Sequence, residues 1–141
     1  MSEQTEKIER VSTVIIIDDD ETDQFLNQRI VKRSGLVEDL QLIRSAEDAL
    51  GYLKSLEKRV DVIFLDINMP CMNGFEFLDQ AIKELGPRFV EIVVIMLTTS
   101  LDPEDKERAS KYEIVKGFKS KPLTVETIQQ VSSLVNNKNT N

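Results

Sequence analysis

The sequence predicts an α/β fold: a doubly wound, five-stranded parallel sheet in the order 2-1-3-4-5 with helices on both faces. Three observations predict it. Short apolar runs alternate five times with longer segments of helical periodicity. Three of the runs, Val14-Ile15-Ile16-Ile17, Val62-Ile63-Phe64-Leu65 and Ile92-Val93-Val94-Ile95-Met96-Leu97, are nearly pure aliphatic, as strands covered on both faces are. The runs also end in residues of chemical consequence: Asp18-Asp19, Asp66, Thr98-Thr99-Ser100, and Lys121-Pro122 after Gly117-Phe118-Lys119-Ser120. Parallel strands bring all of these endings to one edge of a sheet.

Taken in order, residues 1–11 are polar and charged and read as a flexible leader. A strand over 13–18 is followed by a helix over 22–34. Phe25, Leu26, Ile30 and Val31 are its expected apolar side and Gly35 its stop. Leu40-Gln41-Leu42-Ile43 is a short second strand. Ala46, Ala49, Leu50, Leu53 and Leu56 then fall at helical spacing. Val60 to Leu65 forms strand three. Phe75, Leu78, Ala81, Ile82 and Leu85 mark an amphipathic helix entered by an Asn73-Gly74 turn and ended by Gly86-Pro87. Strand four is Ile92 to Leu97. A charge-rich helix over 103–112 follows, with Pro103 in its first turn. Strand five covers 116–120, and Val125, Ile128, Val131 and Val135 mark the last helix. Residues 136–141 read as a polar tail, so one folded unit spans 12–135. Strands two and five carry polar residues and are expected at the edges. This flavodoxin-like order opens its crevice beyond the ends of strands one and three, where the acids lie.

Composition narrows the function. Among 141 residues there are 18 Lys and Arg against 25 Asp and Glu, a formal charge of -7. Such a surface argues against nucleic acid as a direct partner, since phosphate binding needs a basic footprint. No run reaches membrane-spanning length and the start lacks a secretory pattern, so no membrane contact and a cytoplasmic location are expected. The single Cys71 cannot form an internal disulfide. The chain has no histidine, which excludes Ser/His/Asp triads, His-based metal sites and any phosphohistidine of its own. A phosphoryl group handled here has to come from another molecule.

At this point the motifs resemble one family. Ile15-Ile16-Ile17-Asp18-Asp19-Asp20, Phe64-Leu65-Asp66-Ile67-Asn68-Met69-Pro70-Cys71-Met72-Asn73-Gly74, Leu97-Thr98-Thr99 and Lys121-Pro122 together look like the receiver domain of two-component response regulators, over about residues 12–135. The long stretch after strand three is highly specific; an Asp-Asp or Lys-Pro pair alone is not. The resemblance implies that Asp66 accepts a phosphoryl group and that Mg²⁺ is the cofactor. Asp19 would ligate it directly, Asp18 through water, and Asn68 through its backbone carbonyl. Thr98 would hydrogen-bond the phosphoryl oxygen and Lys121 would pair with it. Phe118 stands at the aromatic switch position, and Asn68 and Ser100 at positions that tune phosphoryl lifetime. Thr99 stands where alanine is common in the family. The implied partners are a sensor histidine kinase or histidine phosphotransfer protein and a downstream protein target that the sequence does not name. The chain looks like a stand-alone, chemotaxis-type receiver without an output domain. Receivers can also pair as homodimers through the face of the helix after strand four, strand five and the last helix. Their Lys-Pro bond is often cis.

The residue types suit that chemistry. Phosphoryl transfer rests on positioning and charge neutralisation. Crowded carboxylates repel an incoming anion and resist full ionisation, which a hard divalent cation with oxygen ligands relieves. Lys121 supplies a point charge for phosphate, and Thr98 a mobile donor. Asp20 and Asp23 are expected to do no more than start the first helix, where acids satisfy free N–H groups and the dipole. Cys71, Met69 and Met72 are expected to be incidental or packing residues. A rival lies in Asp18-Asp19-Asp20-Glu21-Thr22, which resembles the nucleophile motif of haloacid-dehalogenase-type phosphatases, with Asp18 as nucleophile and Asp20 as acid/base. That reading leaves Asp66 and its motif unexplained, and past Lys121 it finds only Glu126 for its late acidic motif.

Overall fold

A computed structural model describes residues 10–139. Among them the chain runs β1 (Val11–Ile17), α1 (Glu21–Ser34), β2 (Val37–Ile43), α2 (Ala46–Ser55), β3 (Val62–Asp66), α3 (Gly74–Leu85), α4 (Pro87–Val90), β4 (Val93–Thr98), α5 (Pro103–Ser110), β5 (Val115–Ser120) and α6 (Val125–Asn139). All strand pairs are parallel, and the order is β2-β1-β3-β4-β5, as the sequence predicts.

The period-2 alternation of strands divides the core in two. Ile15, Ile17, Ile63, Leu65, Val94 and Met96 face one way, against Ala49, Leu50 and Leu53 of α2, Phe75 and Leu78 of α3, and Ala109 of α5. Val14, Ile16, Val62, Phe64, Val93, Ile95 and Leu97 face the other, against Val31 of α1 and Ile128, Val131 and Val135 of α6. Central strands sandwiched this way are buried along nearly their whole length, and every residue of β3 and β4 is buried.

Local signals set the helix ends. Asp20 caps α1 by accepting from the Asp23 N–H, and Gly35 closes it in the left-handed region at φ 67°. Asn73 and Glu76 form a reciprocal capping box at the start of α3.

Several boundaries differ from the sequence reading. β1 begins at Val11, which is buried, so the expected leader stops short of it; residues 1–9 lie outside the described residues. α6 continues to Asn139 through most of the expected tail, with 140–141 outside the described residues. β2 starts three residues early at Val37 because it pairs with β1 from Val11 onward. α5 stops at Ser110, two residues early. After Gly86 the chain makes one more helical turn, α4, with proline at its start. That turn buries Phe89, and its Arg88 donates to the carbonyls of Leu53 (2.8 Å) and Leu56 (3.2 Å), closing the end of α2.

The largest correction concerns the face of α1. Gln24, Asn27 and Val31 are its buried residues, while Phe25 and Leu26 are 57% and 42% exposed. The side chain of Gln24 explains the choice. Its Nε2 donates to the carbonyls of Ile16 (2.9 Å) and Ile43 (3.1 Å), linking β1 and β2 near their C-terminal ends. A polar residue thus holds the inward position of the first turns, and the apolar pair is turned outward.

Candidate functional site

The ends of β1, β3 and β5 converge on one ammonium group. Lys121, directly after β5, has its Nζ 2.8 Å from Asp18 Oδ2, 2.9 Å from Asp23 Oδ2 and 3.3 Å from Asp66 Oδ1. The Lys121 backbone N–H donates to the Thr98 carbonyl at 2.7 Å, which ties this turn to the end of β4. The following Lys121-Pro122 bond is cis.

Asp18 and Asp66 are buried, with 1% and 6% exposure. Asp18 also accepts from the Asp20 N–H at 3.0 Å, which fixes the carboxylate at the entry to α1. Asp66 is the last residue of β3. One carboxylate oxygen from each of Asp18, Asp19 and Asp66 lies within 4.8 Å of the others. Three hard oxygen donors at that spacing fit a Mg²⁺ ion.

The electrostatics support that fit. Burial pushes the Asp66 carboxyl up to about 6; the Asp18 charge adds to the push, and Lys121 offsets part of it. Burial likewise raises Asp18, against the hydrogen bond from Lys121. Burial alone would lower the Lys121 ammonium, but hydrogen bonds to Asp18 and Asp23 and the charges of Asp18 and Asp66 outweigh it and raise it. A cation among the three carboxylates would relieve the ionisation cost that burial and mutual repulsion impose.

The loop after Asp66 is held close by a glycine. The Gly74 N–H donates to the Ile67 carbonyl at 2.9 Å. A Cβ on Gly74 would stand 2.7 Å from the Asp66 carbonyl oxygen and 3.1 Å from Ile67 Cα. Only a residue without a side chain lets α3 start this near the end of β3. Asn68 lies within the loop with its side chain exposed, and Cys71, also exposed, adopts φ 72°.

Of the residues singled out in the sequence, Asp18, Asp19, Asp66 and Lys121 are brought together. Thr98 is buried at the end of β4, but its hydroxyl is engaged with its own loop: it donates to the Ser100 carbonyl (2.9 Å) and accepts from the Ser100 N–H (3.2 Å). Ser100 is exposed. Phe118 is half-buried opposite Met96 and packs on the α2/α3 side of the sheet. Asp20 is exposed and serves as the α1 cap, apart from the cluster. Asp23 is the residue sequence reasoning missed. It was expected only to start α1, yet it holds Lys121, 98 positions away along the chain. Its spacing of five from Asp18 carries no signal of that pairing, which depends on where the β5–α6 turn lands.

Beside this cluster lies a mostly apolar groove lined by Leu26, Ile30, Pro122, Leu123 and Val125, with Arg29 and Arg33 among its walls. Pro122, on its wall, directly follows Lys121 in the chain.

Known proteins place this arrangement. The family model described as the response regulator receiver domain matches residues 14–132. The chain is 33% identical over 128 residues to the autoinducer 1 sensor kinase/phosphatase LuxN of Vibrio campbellii. That match covers 91% of this chain and 14% of LuxN, so the chain spans a small part of that relative's length. Among solved structures, a two component response regulator from Cytophaga hutchinsonii superposes with a TM-score of 0.85 at 33% identity, covering 91% of this chain and 98% of that one. Chemotaxis protein CheY4 of Vibrio cholerae superposes with a TM-score of 0.73 at 26% identity, covering 89% and 98%.

Proposed function

Since the chain belongs to the response regulator receiver domain family, we propose that it is a switch operated by phosphorylation of Asp66. The observation that carries this reading is the single ammonium of Lys121 set 2.8 Å from Asp18 and 3.3 Å from Asp66, at the shared edge of three parallel strands. Asp18, Asp19 and Asp66 would hold Mg²⁺, with the Asn68 carbonyl as a further ligand. Mg²⁺ bound there would offset the negative charge of the acids and of an arriving phosphoryl group.

The donor is a phosphohistidine on a sensor kinase or phosphotransfer protein, because this chain has no histidine. An Asp66 oxygen attacks phosphorus, the new O–P bond forms as the donor N–P bond breaks, and an acyl phosphate results. Lys121 meets the developing charge as a fixed cation. The exposed Phe25 and Leu26, with the groove beside Pro122, suit a protein donor that must bring its histidine to this edge.

Switching follows from the same contacts. Thr98 leaves the Ser100 carbonyl for a phosphoryl oxygen, and Phe118 moves into the space behind it. Moving a two-state protein from mostly one form to the other takes about 5.5 kcal/mol of differential binding. Charge-assisted hydrogen bonds from Thr98 and Lys121, at about 1.5–3 kcal/mol each, are of that order. The face of α5, β5 and α6 then changes its partners. Asn68 and Ser100, flanking the site, set how long the phosphoryl group stays. The phosphatase reading loses support because Asp20, its acid/base, is exposed and occupied as a helix cap.

Intact-mass spectrometry after incubation with acetyl phosphate tests the proposal. A single phosphoryl adduct that requires Mg²⁺ and is absent in Asp66→Asn is expected. An adduct that persists in Asp66→Asn, with steady hydrolysis of a generic phosphate ester, would transfer the role to Asp18.

A further inference from the structure

Lys121 has more partners than its proposed role requires. Two of its three carboxylates, Asp18 and Asp66, are among the three that would hold Mg²⁺; the third, Asp23, is not. Asp23 reaches in from the first turn of α1, 30% exposed, and its oxygen, at 2.9 Å from Nζ, is nearly as close as that of Asp18 at 2.8 Å. The ammonium is therefore divided between the metal-binding acids and an anchor outside them.

We propose that Asp23 is a positioning residue that draws the Lys121 ammonium partly off Asp18 and Asp66. By doing so it favours Mg²⁺ binding at the cost of weaker Lys121 contact with an incoming phosphoryl group. This rests on the proposed metal and phosphoryl site.

The competition follows from charge. A lysine fully paired with Asp18 and Asp66 occupies the same oxygens that a divalent cation needs. Asp23 offers that lysine an alternative partner, so cation entry costs less. The phosphoryl group in turn has to win Lys121 from Asp23, whose own charge also repels the dianion. Removing the Asp23 carboxylate should therefore push the two steps in opposite directions. A residue that only stabilised the start of α1 would not do this.

Titration calorimetry of MgCl₂ into the full chain tests the first half, using wild type, Asp23→Asn, Lys121→Met and the double variant. Asp23→Asn should weaken Mg²⁺ binding roughly fivefold, the scale of a partly exposed ion pair. In the Lys121→Met background the same change should alter affinity less than about twofold. Equal weakening in both backgrounds would make Asp23 a simple charge and overturn the inference, as would no weakening in the first. A wild type that binds no Mg²⁺ would instead overturn the site reading itself. Labelling by acetyl phosphate across a Mg²⁺ series tests the second half on Asp23→Asn alone. Half-saturation should rise while the plateau rate exceeds that of wild type. A lower plateau would overturn the inference.

Discussion

Replacing Asp66 by asparagine should stabilise the metal-free protein, and do so in a pH-dependent way. In the folded chain burial, together with the charge of Asp18, pushes the Asp66 carboxyl from its ordinary 3.8 up to about 6. The folded state thus binds this proton more tightly than the unfolded chain does. That contribution to stability is fully present below about pH 4 and is lost as pH rises through 6. Each pKa unit is worth about 1.4 kcal/mol, so the ionised group costs roughly 2–3 kcal/mol at neutral pH. Asparagine keeps the shape and cannot ionise. In the variant Lys121 keeps Asp18 and Asp23 as partners. Urea unfolding in a chelator should therefore show Asp66→Asn ahead of wild type by about 2–3 kcal/mol near pH 7.5, and by about 0.5 kcal/mol or less near pH 4. Saturating Mg²⁺ should close the gap at pH 7.5 by stabilising wild type preferentially. An advantage that stays flat with pH, or a variant less stable than wild type at pH 7.5, would refute the idea that crowded, desolvated acids strain this site.

The remaining predictions concern the loop, the switch and the donor face. Gly74→Ala places a methyl 2.7 Å from the Asp66 carbonyl oxygen and should cost about 1–3 kcal/mol in urea unfolding, with slower acetyl phosphate labelling as β3 and α3 are forced apart. Thr98→Val removes the hydroxyl that now pairs with Ser100; labelling should persist, but the phosphorylation-dependent change in hydrogen exchange along β5 should vanish. Leu26→Glu puts a charge on the exposed face of α1. It should leave labelling by acetyl phosphate unchanged and slow transfer from a phosphohistidine protein about tenfold or more, measured by loss of label from the donor.

The parts of this molecule that were legible in the sequence are those governed by local periodicity. Short aliphatic runs alternating with helical segments point to buried parallel strands, so β1, β3 and β4 and the 2-1-3-4-5 order followed from Val14–Ile17, Val62–Leu65 and Ile92–Leu97. The motif residues at the strand ends then had to share an edge. What the sequence misassigned was the face of a helix whose inward position is polar. A hydrophobicity pattern points Phe25 and Leu26 inward, but Gln24 takes the inward position and donates to the carbonyls of Ile16 and Ile43. Two side-chain hydrogen bonds across the ends of β1 and β2 hold α1 in this rotation, with Phe25 and Leu26 outward. The turn at Pro87–Val90 was hidden for a related reason: a proline reads as the end of one helix and the start of the next alike.

The same helix ties these observations together. α1 begins at the Asp18 loop, presents Asp23 to Lys121 one turn later, and then turns Phe25 and Leu26 outward beside the groove at Pro122. A partner seated on those apolar side chains would press on the helix that carries the Asp23 anchor of Lys121. Its grip on Lys121 is an ion pair at 2.9 Å with 30% of Asp23 exposed, a contact that a small shift of α1 would weaken. Docking and chemistry would then share one element, and a donor bound to α1 could loosen Lys121 from Asp23 at the moment its phosphoryl group arrives. This makes a specific demand on the variants. Asp23→Asn, already free of the anchor, should raise labelling by acetyl phosphate at saturating Mg²⁺ more than it raises transfer from a protein donor. Equal gains with both donors would mean that docking leaves the Asp23–Lys121 pair untouched.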